Sequence, residues 1–136
     1  MKNRTLTIVA SIAVAVLAGL WGIQDSSAQV ATFKRVELQR HDLSTQGHEA
    51  VLARAEFPVG AGAPKHTHPG EEMGYVLEGE LEFTIEGKPA MKLKAGDSFF
   101  IPAGQAHAAK NIGKTAAAVV STYIIEKDKP LATPVK

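Results

Sequence analysis

The sequence predicts an all-β fold, a single β-barrel or sandwich, for the part of the chain that follows residue 28. Turn-forming residues recur there about every eight to twelve residues, and no stretch has the apolar period of an amphipathic helix. Within the short runs between turns, apolar and polar side chains alternate, as expected for strands with one buried face. The chain has no internal duplication and is too short for two barrels, so we expect one domain.

The first 28 residues have the composition of a secretory signal peptide. Lys2 and Arg4 form a basic start, residues 6–23 are mainly apolar, and residues 26–28 (Ser-Ser-Ala) supply a small-residue cleavage site. We expect export by the general secretory route, Gln29 as the mature N-terminus, and a periplasmic or secreted domain. The alternative is an uncleaved membrane anchor, because the apolar segment approaches the length that spans a bilayer.

The remaining chain, residues 29–136, divides into short strands. Strands are expected over residues 33–39, 49–57, 81–85, 91–93, 98–101 and 116–125. The core of the domain then runs from about 48 to 126. The tail, residues 127–136, contains Pro130 and Pro134 and is expected to be extended; it either docks on a neighbour or is disordered.

Charge and cysteine content exclude several kinds of partner and site. Without residues 1–28, basic and acidic side chains balance at 13 each, so nucleic acid is not an expected partner. The absence of cysteine excludes a disulfide and a thiolate ligand. Stability must therefore come from the core, from a metal ion or from a partner subunit.

The stretch from Gly60 to Gly79, GAGAPKHTHPGEEMGYVLEG, contains a candidate metal site. On a strand, His66 and His68 point to the same side, about 6.5 Å apart. The Pro-Gly turn that follows returns Glu72 on the next strand. A second strand-turn-strand segment begins at Gly96 and supplies a further imidazole at residue 107.

These two stretches resemble the two motifs of the cupin superfamily, G(X)5HXH(X)3-4E(X)6G and G(X)5PXG(X)2H(X)3N. Every spacing matches. The matching residues are Gly60, His66, His68, Glu72 and Gly79 in the first motif and Gly96, Pro102, Gly104, His107 and Asn111 in the second. The chain resembles small single-domain metal-binding cupins of the type-2, quercetin-dioxygenase-like group.

The resemblance implies a cupin (jelly-roll-like) β-barrel that binds one divalent metal ion. Its ligands would be His66, His68, Glu72 and His107, a donor set that suits Fe, Mn, Ni, Co or Zn. The alternative is a barrel that has kept the motif spacing but binds no metal. His41 and His48 are expected to be ordinary surface or core residues.

The function implied is that of an exported metal-dependent cupin, an oxygenase, another oxidoreductase or an isomerase. A divalent ion with one carboxylate ligand leaves a net positive site inside the barrel, which favours a small chelating oxyanion. The alternative is a module that binds a metal or small ligand without turnover. No catalytic residue is assigned. Membrane contact is expected only through an uncleaved signal segment, and the habit of the family favours a homodimer.

Residues near the first motif have separate expectations. Gly74 shares the face of Glu72 and has no side chain, so we expect it to leave pocket space for the ligand. Some cupin lyases abstract a proton with a tyrosine at this position. A lyase of that kind would have no such base in this sequence, because residue 74 is glycine. Glu71 and Tyr75 are expected on the opposite face, and Asn111 is expected to have a structural, hydrogen-bonding role.

Overall fold

The structure is a computed structural model that describes residues 32–136, so the expected signal segment and its cleavage site lie outside the described residues. Ten strands make up the regular structure of this part. Their bounds are β1 Lys34–Asp42, β2 His48–Phe57, β3 Gly62–Thr67, β4 Gly70–Glu78, β5 Glu80–Ile85, β6 Met91–Lys94, β7 Ser98–Ile101, β8 His107–Asn111, β9 Ala117–Glu126 and β10 Thr133–Pro134. Over these same residues there is no helix of the length and apolar character needed to cross a membrane.

The strands form two five-stranded antiparallel sheets. One has the order β1-β2-β9-β4-β7, and the other has the order β10-β3-β8-β5-β6. This arrangement confirms the expected all-β architecture. Because β3 and β4 belong to different sheets, the turn between them carries the chain from one sheet to the other, and the first motif therefore contributes to both.

Alternation along the strands explains which faces are buried. In β2, the side chains of Val51, Ala53, Ala55 and Phe57 are buried, whereas those between them are partly or fully exposed. The strand β9 pairs with β2 along its whole length and alternates in the same way at its end. The expected half-buried pattern of residues 49–57 is therefore present.

The buried residues form a larger and a smaller cluster. The larger cluster contains residues from both sheets, including Phe57, Phe83 and Phe99. The smaller cluster contains Val51, Ala53, Tyr123 and Ile125 and packs against Leu131 of the tail.

The barrel is longer than the expected core of residues 48–126. The strand β1 extends to Asp42, beyond the expected end at residue 39, and pairs with β2. The tail is extended, and it docks on its own barrel. Its strand β10 pairs with β3 at Thr67 and His66.

The motif glycines lie in the turns of the barrel. Positive φ angles occur at Gly60, Gly79, Gly96 and Gly104. At Gly79 a Cβ would also lie 2.5 Å from the Cβ of Ala117, so both its backbone conformation and its surroundings require glycine. These residues set the strand ends that position the motif histidines.

Candidate metal centre

Three histidines meet inside the barrel. His66 lies in β3, His68 follows that strand directly, and His107 begins β8, where it pairs with His66. All three side chains are buried, and each offers a ring nitrogen within 4.8 Å of those of the other two. The histidines that the first and second motifs contain are thus brought together, and they could hold a metal ion.

Each of these rings is oriented by a backbone carbonyl. The Nδ1 atom of His66 lies 2.7 Å from the Pro64 oxygen, and that of His107 lies 2.9 Å from the Gln105 oxygen. The Nδ1 atom of His68 is bonded to the oxygen of Leu131 in the tail. Because a carbonyl oxygen only accepts, each Nδ1 carries the proton. In each neutral ring, Nε2 therefore keeps its lone pair, as metal-binding histidines require.

The Glu72 carboxylate faces two of these lone pairs. Its Oε2 atom lies 3.1 Å from Nε2 of His68 and 3.4 Å from Nε2 of His107. The Nε2 atom of His68 is buried and has no hydrogen-bond partner within the described residues. Two unprotonated acceptors so close together repel unless a cation lies between them. Either a proton or a metal ion satisfies that requirement, and the donor set of three imidazoles and a carboxylate fits a divalent metal.

The charge states of His66 and Glu72 are also those that metal binding requires. The pKa of His66 is lowered to about 4, mainly by burial. The hydrogen bond to Pro64 opposes this change, and the neighbouring His107, His68 and Arg35 add to it. Burial raises the pKa of Glu72, but in the metal-free protein a proton on a facing Nε2 atom of His107 or His68 would donate to the carboxylate. This interaction outweighs the effect of burial and holds the pKa of Glu72 well below its ordinary value. At neutral pH His66 is therefore neutral and Glu72 ionised.

A pocket opens beside His66, Glu72 and His107. Its walls are mainly apolar, and its free volume of about 20 Å³ is on the order of one or two water molecules. The polar side chains that line it, besides His66, Glu72 and His107, are Arg35, Ser121 and Tyr123. Burial and the Glu72 charge raise the pKa of Tyr123, so its hydroxyl stays protonated. The pocket therefore has room for a small ligand only.

Gly74 does not open onto free space, which corrects the expectation for this residue. A Cβ on Gly74 would lie 2.0 Å from Cζ of Phe99, because the Phe99 ring covers the glycine. Gly74 faces inward as expected, but the ring of Phe99 occupies the volume beside it and lines the pocket instead. The absent side chain at residue 74 therefore accommodates a neighbouring aromatic residue.

The other motif residues lie where the alternation places them. Glu71 and Tyr75 point outward from β4 and are exposed. The buried Asn111 side chain donates to the carbonyl oxygens of Phe57 and Thr115 and accepts from the Gly113 amide, so its role is structural. His41 is exposed and lies apart from the site, and His48 is half-buried and bonded to a turn carbonyl.

Sequence reasoning missed Tyr123 and Arg35. Tyr123 pairs with Glu72 across β4 and β9, which brings it into the site. A signal existed: Ser121 and Tyr123 interrupt an otherwise apolar inward face of β9. Arg35 lies in β1, far from both motifs, and nothing in its local sequence points to the pocket.

Comparison with known proteins identifies the family. The family model of the cupin domain matches residues 53–123, more than half of the chain. The chain belongs to the cupin family. The matched region of this cupin contains both motifs, whereas β1 and the tail lie outside it.

Several curated proteins are similar to parts of this cupin. It is 41% identical over 64 residues to dimethylsulfoniopropionate lyase DddQ of Ruegeria pomeroyi, covering 47% of this chain and 32% of the lyase. It is 36% identical over 80 residues to oxalate oxidase 2 of Hordeum vulgare, covering 53% of this chain and 36% of the oxidase. The chain thus spans about a third of the length of these relatives.

Solved structures show the same fold. An oxalate oxidase in complex with the substrate analogue glycolate matches with a TM-score of 0.62 and 30% identity, over 76% of this chain and 55% of the oxidase. The Ruegeria pomeroyi lyase DddQ matches with a TM-score of 0.57 and 28% identity, over 63% of this chain and 43% of the lyase. The relatives therefore include both an oxidoreductase and a lyase.

Proposed function

We propose that this cupin binds one divalent metal ion through His66, His68, Glu72 and His107. The observation that carries the proposal is the approach of the Glu72 carboxylate to two imidazole nitrogens that keep their lone pairs. Fe, Mn, Ni, Co and Zn all accept this donor set. When bound, such an ion polarises an oxygen ligand, and a redox-active one also exchanges electrons.

We further propose that the protein is a metal-dependent enzyme acting on a small oxyanion, as an oxidoreductase or isomerase. The apolar walls of the inner pocket strengthen electrostatic interactions with a ligand, and the small volume of the pocket limits the size of that ligand. The relative that binds glycolate, a small carboxylate, supports this ligand class.

Tyr123 favours an enzyme over a module that only binds. It supplies a protonated hydroxyl beside Glu72, so the pocket contains a hydrogen-bond donor that could stabilise negative charge on a ligand oxygen. This hydroxyl is a poor base, because its pKa is raised. The relationship to a lyase therefore does not by itself supply this cupin with a tyrosine base.

Glu72→Gln tests the proposed ligand set. The substitution removes the only anionic ligand, so the metal content of the purified protein and its affinity for Co(II) should fall, by about tenfold or more. Glu71→Gln is the matched control, because the neighbouring carboxylate points outward. Metal content unchanged in Glu72→Gln would contradict the assignment of Glu72 as a ligand.

The function itself is tested with the metal-loaded wild type. Glycolate should bind in calorimetry, whereas its neutral analogue glycolamide should bind more weakly, since the site carries net positive charge. Turnover of small hydroxy and dicarboxylic acids, followed by oxygen uptake and product analysis, separates enzyme from binding module. Equal affinity for the charged and neutral compounds would contradict the oxyanion proposal.

Export and dimer formation are further proposals. Export is supported by the composition of residues 1–28, and the intact mass of exported protein should correspond to a chain that begins at Gln29. A homodimer is supported by exposed apolar side chains on the outer face of one sheet, Met73, Tyr75, Leu77 and Phe100. We call these four residues the outer patch.

A further inference from the structure

Arg35 lies at the boundary between the metal centre and the surface. Among residues 32–136 it is the one arginine or lysine that lines the inner pocket. It also lines an outer groove of about 150 Å³, which β1, β3 and the tail enclose. Phe33, Ala63 and His66 also line both cavities, so these three residues and Arg35 form the boundary between the groove and the pocket.

The guanidinium group of Arg35 is held in place but poorly satisfied. Its carbon lies 5.4 Å from the ring centre of Phe33 and 5.6 Å from that of Tyr123, so two aromatic faces hold it. Its Nε atom is buried without a hydrogen-bond partner, and Nη2 reaches only the Nε2 atom of His66, at 3.4 Å. Within the described residues no carboxylate forms an ion pair with it.

Metal binding removes even this contact. The Nε2 lone pair of His66 cannot both bind a metal ion and accept from Arg35, so the guanidinium loses its acceptor when the proposed metal is present. The site then contains a divalent cation, one guanidinium and one carboxylate, which leaves about two net positive charges in an apolar pocket. Such charges require an anionic partner.

We propose that Arg35 is the residue that selects the ligand, by binding an anionic group of the same small molecule that the metal centre holds. This inference rests on the proposed function and adds the charge of the ligand to it. A planar guanidinium suits a carboxylate, which it binds through two parallel hydrogen bonds. Because Arg35 also lines the larger outer groove, the second anionic group of such a ligand can extend out of the small inner pocket. The site should therefore prefer a small dianion such as malonate over a monoanion such as glycolate.

The experiment is calorimetric titration of Co(II)-loaded protein with malonate, glycolate and neutral malonamide. We expect wild type to bind malonate most tightly and Arg35→Gln to lose about ten- to a hundredfold of that affinity. Glycolate affinity should fall less. Arg35→Lys retains the positive charge but cannot form the two parallel hydrogen bonds, so its malonate affinity should be intermediate. Arg54→Gln removes an equal charge from the outer face of β2 and should leave all three affinities unchanged.

The possible results distinguish failure of the Arg35 proposal from failure of the proposed function. Equal malonate affinity in wild type and Arg35→Gln, with Co(II) content retained in both, would overturn the role of Arg35 and leave the oxyanion site intact. An identical loss in Arg54→Gln would also overturn it, because the effect would then be one of overall charge. Failure of wild type to bind any of the anions would overturn the proposed function and this assignment with it.

Discussion

The three buried histidines are held before any ligand arrives. Carbonyl oxygens of Pro64, Gln105 and Leu131 accept from their Nδ1 atoms, which fixes both the tautomer and the direction of each ring. A metal therefore meets rings that need little reorganisation. The electrostatic cost is repulsion among the lone pairs and the Glu72 carboxylate, and this cost is greatest when no cation is present.

His66 predicts how the stability of the metal-free protein depends on pH. Its pKa is about 4 in the folded state and about 6.5 in the unfolded chain, so between these values the unfolded state binds more protons. The free energy of unfolding should therefore fall by about 3 kcal/mol as the pH falls from 6.5 to 4. Ionised Glu72, with its lowered pKa, should add a further loss below pH 4.5.

Urea denaturation of metal-free protein between pH 7.5 and 4.5 measures this effect. His66→Gln removes the titrating imidazole, so its free energy of unfolding should change less with pH. An equal pH dependence in the variant and in wild type would show that His66 is not responsible.

The site residues that belong to a sequence motif could be predicted, whereas those that depend on packing between remote segments could not. The four proposed ligands lie on two short segments with fixed spacing, so residue type and interval were enough to select side chains that the fold brings together. The environment of Gly74 was not predictable, because it depends on how the Phe99 ring packs from β7 onto β4. A missing side chain indicates available volume but not which neighbour occupies it.

At the scale of elements, the two ends of the described chain complete the site. The strand β1 supplies Arg35, and the tail supplies the Leu131 carbonyl to His68 and pairs with β3 through β10. The tail also donates from the Val135 amide to the Lys65 oxygen. The strand propensity of β1 and the proline content of the tail were visible in the sequence. The pairing of these remote segments with the rest of the barrel has no local sequence signal.

Removal of residues 131–136 tests the role of the tail. His68 then loses the acceptor that fixes its tautomer, so Co(II) affinity should fall by about tenfold or more. A matched truncation that removes only residues 133–136 deletes β10 but retains Leu131, and its loss should be smaller. Both chains should retain the barrel, which far-ultraviolet circular dichroism would establish. Full metal affinity in the longer truncation would contradict a role for the Leu131 carbonyl.

At the scale of the whole molecule, one sheet has an outer face that is unusually apolar. Met73 pairs with Phe100 across β4 and β7, and both side chains are 52% exposed. The outward faces of antiparallel sheets are more commonly polar, and contiguous apolar patches often mark contact surfaces. The outer patch lies on the side of this sheet opposite the pocket, so an interface there would leave the groove beside Arg35 open.

Phe100→Glu should convert the proposed homodimer to a monomer, because it places a charge in an apolar interface. Sedimentation velocity over a range of protein concentrations measures the change. Val59→Glu is the control, since Val59 is exposed in the turn between β2 and β3. A wild-type protein that sediments as a monomer at every concentration would contradict the proposal.

The contact between His68 and Leu131 also has a consequence for biosynthesis. The groups that form the proposed metal centre and its rim span the chain from residue 35 to residue 131, so the centre cannot be completed until Leu131 has been synthesised. If the chain crosses the membrane unfolded, as a general secretory signal implies, its first complete metal site forms on the far side. The metal pool of that compartment, rather than that of the cytoplasm, would then decide which ion the protein acquires.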